Sequence, residues 1–130
     1  MDTEAMKVHG AFSWNELMTT DITAAKSFYS ELFGWKLKDD DSGDMAYTMA
    51  SAGDREVAGM MEIPDETKGM PPSWGGYVTV DNVDQQIERA SKLGAKTVVE
   101  PKDIPNIGRF AVITDPQGAM LTMITYTGEC

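Results

Sequence analysis

Apolar positions recur along this chain with two different periods. From Asp21 to Gly34, Ile22, Ala25, Tyr29 and Leu32 fall at the three- and four-residue spacing of one helix face. Asp21 precedes that stripe and can accept a free backbone N–H, so it predicts the N-cap. Gly34 supplies the left-handed residue that ends a helix. From Asn82 to Gly94 the pattern returns, with Val83, Ile87, Ala90 and Leu93 as the stripe. Asp21 to Asn82, Ile22 to Val83 and Leu32 to Leu93 are each separated by 61 residues. Such periodicity marks a duplicated unit.

The alternating period of strands fills the remainder. One strand is expected before each helix, over 11–19 and 76–80. Three are expected after each: 35–38, 46–51 and 56–63, then 96–99, 109–114 and 119–126. Turn-forming residues separate them at 40–44, at 52–54 and at Asp115-Pro116-Gln117-Gly118. Pro64, Gly69, Pro71 and Pro72 make 64–73 the linker. The pattern therefore predicts an α+β fold. It comprises one domain over 1–130, built from two βαβββ units at approximately 10–63 and 74–126. One short helix cannot cover a sheet by itself. Pairing the units buries the helix sides and leaves two curved sheets facing a shared cleft, the default place for a small molecule.

Composition narrows the partners. The chain has 130 residues, 21 acidic against 11 basic, and a net charge of −10. That charge repels a phosphate backbone and an anionic bilayer, so neither nucleic acid nor membrane is an expected partner. No apolar run reaches the roughly 20 residues that span a bilayer. The single cysteine, Cys130, has no partner for an internal disulfide, which suits a reducing, cytoplasmic setting. Ten methionines are present. Met18, Met49, Met60, Met61, Met120 and Met123 fall in expected strands, where thioethers suit an ordinary core or an adaptable apolar pocket.

Trp14 to Asp21 (WNELMTTD), Ser27-Phe28-Tyr29 and Leu32-Phe33-Gly34-Trp35 resemble the opening unit of the glyoxalase/bleomycin-resistance/dioxygenase, or vicinal oxygen chelate (VOC), superfamily. Val80-Asp81-Asn82-Val83 and Asp115-Pro116-Gln117-Gly118 resemble its second unit. The resemblance covers about 10–126 and implies the glyoxalase-like fold. It also implies that metal-dependent members hold a divalent ion with His, Glu or Gln from the first and last strand of each unit. Carried over by spacing, those positions fall on Trp14, Met61, Gly75 and Thr122. A one-residue slip would exchange Met61 for Glu62. None of the four is a good ligand for a hard or borderline cation. The only histidine, His9, lies too early. No metal and no other cofactor is expected; a divalent metal is the disfavoured alternative.

Alternation then assigns cleft-lining residues. With Trp14 facing inward, Glu16 and Met18 follow it, while Leu17 and Thr19 face the helix. Met61, Tyr77, Thr79 and Thr122 join the same surface. Residue 111 is expected near 122 across the tight turn, which brings in Arg109. Glu16 is the one candidate catalytic residue, as a general base or ligand-orienting carboxylate. The competing reading gives it an ion pair with Arg109 or a place at the wet rim. Trp14 and Trp74 could stack on a flat ligand or fill space.

Three functions follow. The first is a metal-free binder of a small molecule, similar to bleomycin-resistance proteins. The second is a lyase, isomerase or dioxygenase acting on a small oxygenated substrate. The third is a non-catalytic structural or regulatory partner. The resemblance also implies a homodimer.

Overall fold

In the computed structural model, residues 7–40, 46–63, 69–104 and 107–127 are described. The expected turn at 40–44 falls largely, the first half of the expected linker (64–68) wholly, and Cys130 wholly outside the described residues. The elements run β1 (Phe12–Thr19), α1 (Ile22–Phe33), β2 (Lys36–Asp40), β3 (Tyr47–Ala52), β4 (Arg55–Glu62), β5 (Ser73–Thr79), α2 (Val83–Lys92), β6 (Lys96–Ile104), β7 (Gly108–Thr114) and β8 (Met120–Tyr126). The fold is α+β, and βαβββ occurs twice. The chain divides into one unit over Trp14–Trp74 and another from Gly75 onward that also takes in the residues before Trp14.

The first unit has the strand order β2-β3-β4-β1. β1 runs parallel to β4, with Glu16 opposite Gly59 and Met18 opposite Met61. One face carries Leu17, Ala50, Ala58 and Met60, against which Ile22, Ala25 and Tyr29 of α1 pack. Met60 is fully buried, which stabilises the unit by roughly 2–3 kcal/mol. The start of α1 is held by two carboxylates. Asp21 Oδ1 accepts from the Ala24 N–H (3.0 Å), and Glu62 Oε1 accepts from the Ile22 N–H (3.0 Å). Both serve donors that lack an intrahelical partner. Gly34, at φ 72°, ends the helix and donates to the Ser30 carbonyl. On the flank, Lys26 Nζ reaches Asp39 of β2 at 2.8 Å, and Thr48 Oγ1 donates to the same carboxylate at 2.8 Å.

The second unit repeats this topology, with the order β5-β8-β7-β6 and β5 parallel to β8. Ahead of β1, the Gly10 N–H donates to the Thr79 carbonyl and the Thr79 N–H to the Ala11 carbonyl, which ties these early residues to β5. Asn82 caps α2 by accepting from the Gln85 N–H. Val83, Ile87 and Ala90 pack on Val80, Ala111, Ile113 and Met123. β6 extends to Ile104, well past the expected end at residue 99. Pro101 lacks an N–H, and the pairing with β7 is irregular between Val99 and Lys102. An edge strand tolerates both.

Candidate functional site

Alternation along β1 places Trp14, Glu16 and Met18 on the face of the first unit's strands away from α1. Leu17 lies on the helix side, as expected from the pattern. Met61 stands beside Met18 on the same face as Trp14. Glu62 points the other way and caps α1, so it does not take the place of Met61.

The centre of this face is a short hydrogen-bond chain. Trp14 Nε1 donates to Tyr47 Oη at 2.7 Å, and the Tyr47 hydroxyl donates to Glu16 Oε2 at 2.8 Å. Glu16 is only 5% exposed, a rare situation for a carboxylate. The phenol reaches both partners because Gly59 leaves room for it: a Cβ there would overlap the Tyr47 ring. Tyr47 and Gly59 were not among the residues picked from sequence. A glycine inside a strand signals close approach of another group, and that signal was present at Gly59.

In the second unit, Tyr77 lies opposite Thr122 and Thr79 opposite Ile124 on one face. All four are buried. Thr79 Oγ1 has no hydrogen-bond partner among the described residues.

Arg109 is a correction. It was expected beside Thr122, but Thr122 pairs with Val112, so Phe110 and Val112 share its face. The cause is the turn. The Asp115 N–H donates to the Ala119 carbonyl, and Asp115 Oδ1 accepts from the N–H groups of Gln117 and Ala119. That closure sets Thr114 opposite Met120, one residue from the expected register. A one-residue change reverses every side chain. Arg109 therefore binds Asp84 of α2, with Nε to Oδ2 at 2.9 Å, and Asp103 with Nη1 to Oδ1 at 3.0 Å. These pairs engage Arg109 in place of the ion pair with Glu16 that the competing reading offered. The Arg109 guanidinium holds the Asp84 carboxyl below the usual carboxylate range.

A family model of the Glyoxalase/Bleomycin resistance protein/Dioxygenase superfamily matches residues 11–123. The chain belongs to this superfamily. CFP32 of Mycobacterium tuberculosis, provisionally named a glyoxylase, is 38% identical over 116 residues, covering 88% of this chain and 44% of that protein. The anthracycline biosynthesis protein DnrV of Streptomyces peucetius is 32% identical over 123 residues, covering 85% and 45%. The chain thus spans about half the length of the curated relatives it matches. Among solved structures, methylmalonyl-CoA epimerase from M. tuberculosis superposes with a TM-score of 0.61 at 16% identity, covering 91% of this chain and 88% of that one. Homoprotocatechuate 2,3-dioxygenase from Brevibacterium fuscum gives 0.61 at 17%, covering 92% and 37%. Both show the shared glyoxalase-like fold.

The positions that the family spacing assigned to metal ligands are Trp14 and Met61 in the first unit and Gly75 and Thr122 in the second. Trp14 offers an N–H donor already bonded to Tyr47, Met61 a soft thioether, and Gly75 no side chain. Among the described residues no group of three or more His, Cys, Asp or Glu could hold a metal ion. These side chains do not fit a divalent cation. His9 accepts from the Asp81 N–H through Nδ1 at 2.9 Å.

Proposed function

We propose that this glyoxalase-superfamily chain binds a small oxygenated organic molecule without a metal, on the face that carries Trp14, Glu16 and Tyr47. The supporting observation is the Trp14–Tyr47–Glu16 hydrogen-bond chain. It fixes the indole of Trp14, which the family spacing assigns to a metal-ligand position, and it holds a carboxylate two residues further along the same face. A rigid aromatic wall and one oriented acceptor suit a ligand carrying a hydroxyl or N–H donor. The names of the relatives, a glyoxylase and an anthracycline biosynthesis protein, point towards small organic molecules.

The decisive experiment strips the purified protein with chelator and offers Zn, Ni, Mn and Fe(II) in turn. Bound metal is then measured after desalting, and a panel of hydroxylated aromatic and keto compounds is titrated against the metal-free form. Saturable binding by metal-free protein supports the proposal. Tight one-to-one metal uptake, with ligand binding only in its presence, would overturn it.

Glu16 also supports a second reading, metal-free catalysis of proton transfer, because it is a buried carboxylate held by a hydroxyl. On that reading, Glu16→Gln abolishes turnover while ligand affinity stays within a few-fold. Loss of both together, or of neither, counts against it.

A further inference from the structure

On the opposite side of β1, between α1 and the start of β5, the first unit has an open groove with a cavity volume of about 350 Å³. Its lining includes Thr19, Asp21, Phe28, Tyr29, Pro72 and Trp74. That volume is enough for a small molecule. Tyr29 meets each of the other two rings at a steep angle. Phe28 meets Tyr29 at 86° with centroids 4.9 Å apart, and Trp74 meets Tyr29 at 81° and 5.4 Å. Tyr29 thus forms a base from which two other rings stand nearly upright.

Trp35 extends the ring cluster and meets Trp74 as steeply as Tyr29 does, at 82° with centroids 5.9 Å apart. Trp35 stacks on Tyr29 at 5.9 Å and 23°. Trp74 Nε1 donates to Tyr29 Oη at 3.1 Å, which sets the indole's orientation. Phe28 and Trp74 remain 58% and 40% exposed, so their surfaces are available to a ligand. Asp21 adds a carboxylate to the same groove. One of its oxygens accepts from the Ala24 N–H.

We propose that this groove is an aromatic cage for a small, soluble methylated ammonium ion of the choline type. Ring faces carry negative potential and attract a diffuse cation, and several steeply angled rings surround it better than one. A methylated ammonium needs no hydrogen-bond acceptors, and the cage offers it mainly apolar walls. Asp21 and the overall charge of −10 select a cation over a neutral molecule of the same shape. The site lies on the helix side of β1, away from Trp14 and Glu16, so it stands or falls independently of the reading above.

The test follows the Trp74 indole N–H signal by heteronuclear NMR of the full chain as choline chloride is added. Its neutral carbon isostere, 3,3-dimethylbutan-1-ol, serves as the control. Choline should shift the signal saturably, and the isostere should bind about tenfold more weakly. Phe28→Ala, read at Trp74, should weaken choline binding by about fivefold or more. Trp74→Ala, read at the backbone signals of Phe28 and Tyr29, should do the same. Asp21→Asn keeps a capping side chain and should weaken choline without affecting the isostere. Phosphatidylcholine vesicles of equal headgroup concentration should leave the protein in solution. Equal affinity for choline and the isostere would overturn the proposal, as would indifference to both ring deletions or co-sedimentation with the vesicles. A Trp74 signal that moves with protein concentration alone would assign the groove to a second copy of the chain and overturn it too.

Discussion

Tyr47 lies across Gly59, so that its phenol ring occupies the space a β-carbon would need. Gly59→Ala must therefore move the ring and break the contacts from Tyr47 to Trp14 and Glu16. The expected cost is about 1–3 kcal/mol, read by urea denaturation. Because Trp14 loses an indole hydrogen bond, its fluorescence should change in the folded state as well. Unchanged stability and emission would mean that the ring has another resting place.

Tyr47→Phe keeps the ring and removes only the hydroxyl. Trp14 Nε1 and Glu16 Oε2 then each lose the partner that joins them. The expected loss of stability is about 1–3 kcal/mol, at the upper end if water does not enter. Combining Tyr47→Phe with Trp14→Phe should cost less than the sum of the single changes, because the buried indole donor is gone. A double-mutant cycle measures that coupling directly.

Acid should loosen the attachment of α1. The Asp39 carboxyl is held below its usual value, first by the hydrogen bond from Lys26 and then by that from Thr48. A lowered folded-state value means that the ionised form is favoured in the native protein. Its contribution is complete above the unfolded carboxyl's range, about pH 4, and is lost as the pH falls through the lower folded value. Asp39→Asn should therefore destabilise at pH 7 more than at pH 3. Thermal unfolding of the two proteins across that window is the measurement, and a constant difference would exclude the linkage. Asp39 is exposed, so added salt should shrink the effect.

Arg109→Ala should leave ligand binding on the Trp14 face unchanged, because its guanidinium is engaged by Asp84 and Asp103. Only a small fall in melting temperature is expected, since these carboxylates are exposed and screened. A large loss of ligand affinity would place Arg109 in the site after all.

Helices and their caps were legible because Asp21, Gly34 and Asn82 act through local geometry, and a local rule needs only neighbouring residues. The duplication was legible because those local signals recur 61 residues apart. Alternation along β1 was also readable, and it put Trp14 and Glu16 on one face and Leu17 on the other. What alternation within one strand does not give is the register between strands. Arg109 was assigned to the wrong face because the expected pairing across the 115–118 turn was one residue out. Tyr47 was missed because its contact with Trp14 and Glu16 depends on how β3 and β4 pair and on the absence of a side chain at Gly59. Glu62 shows the converse. Its neighbour Met61 faces the Trp14 side, yet Glu62 is drawn to the free N–H of Ile22, a donor 40 residues away in sequence.

The closure at Asp115 also constrains how this lineage can vary. Thr114 opposite Met120 decides which residues of β7 and β8 meet α2 and which lie beside Tyr77. An added or deleted residue in that turn has two fates. It can be absorbed as slack at the tip, or it can slide one strand past the other and exchange an apolar helix-facing row for one bearing Thr122. Homologues should therefore differ in turn length freely only where the Asp115–Ala119 closure is kept. Slippage that reaches the strands should survive only in steps of two.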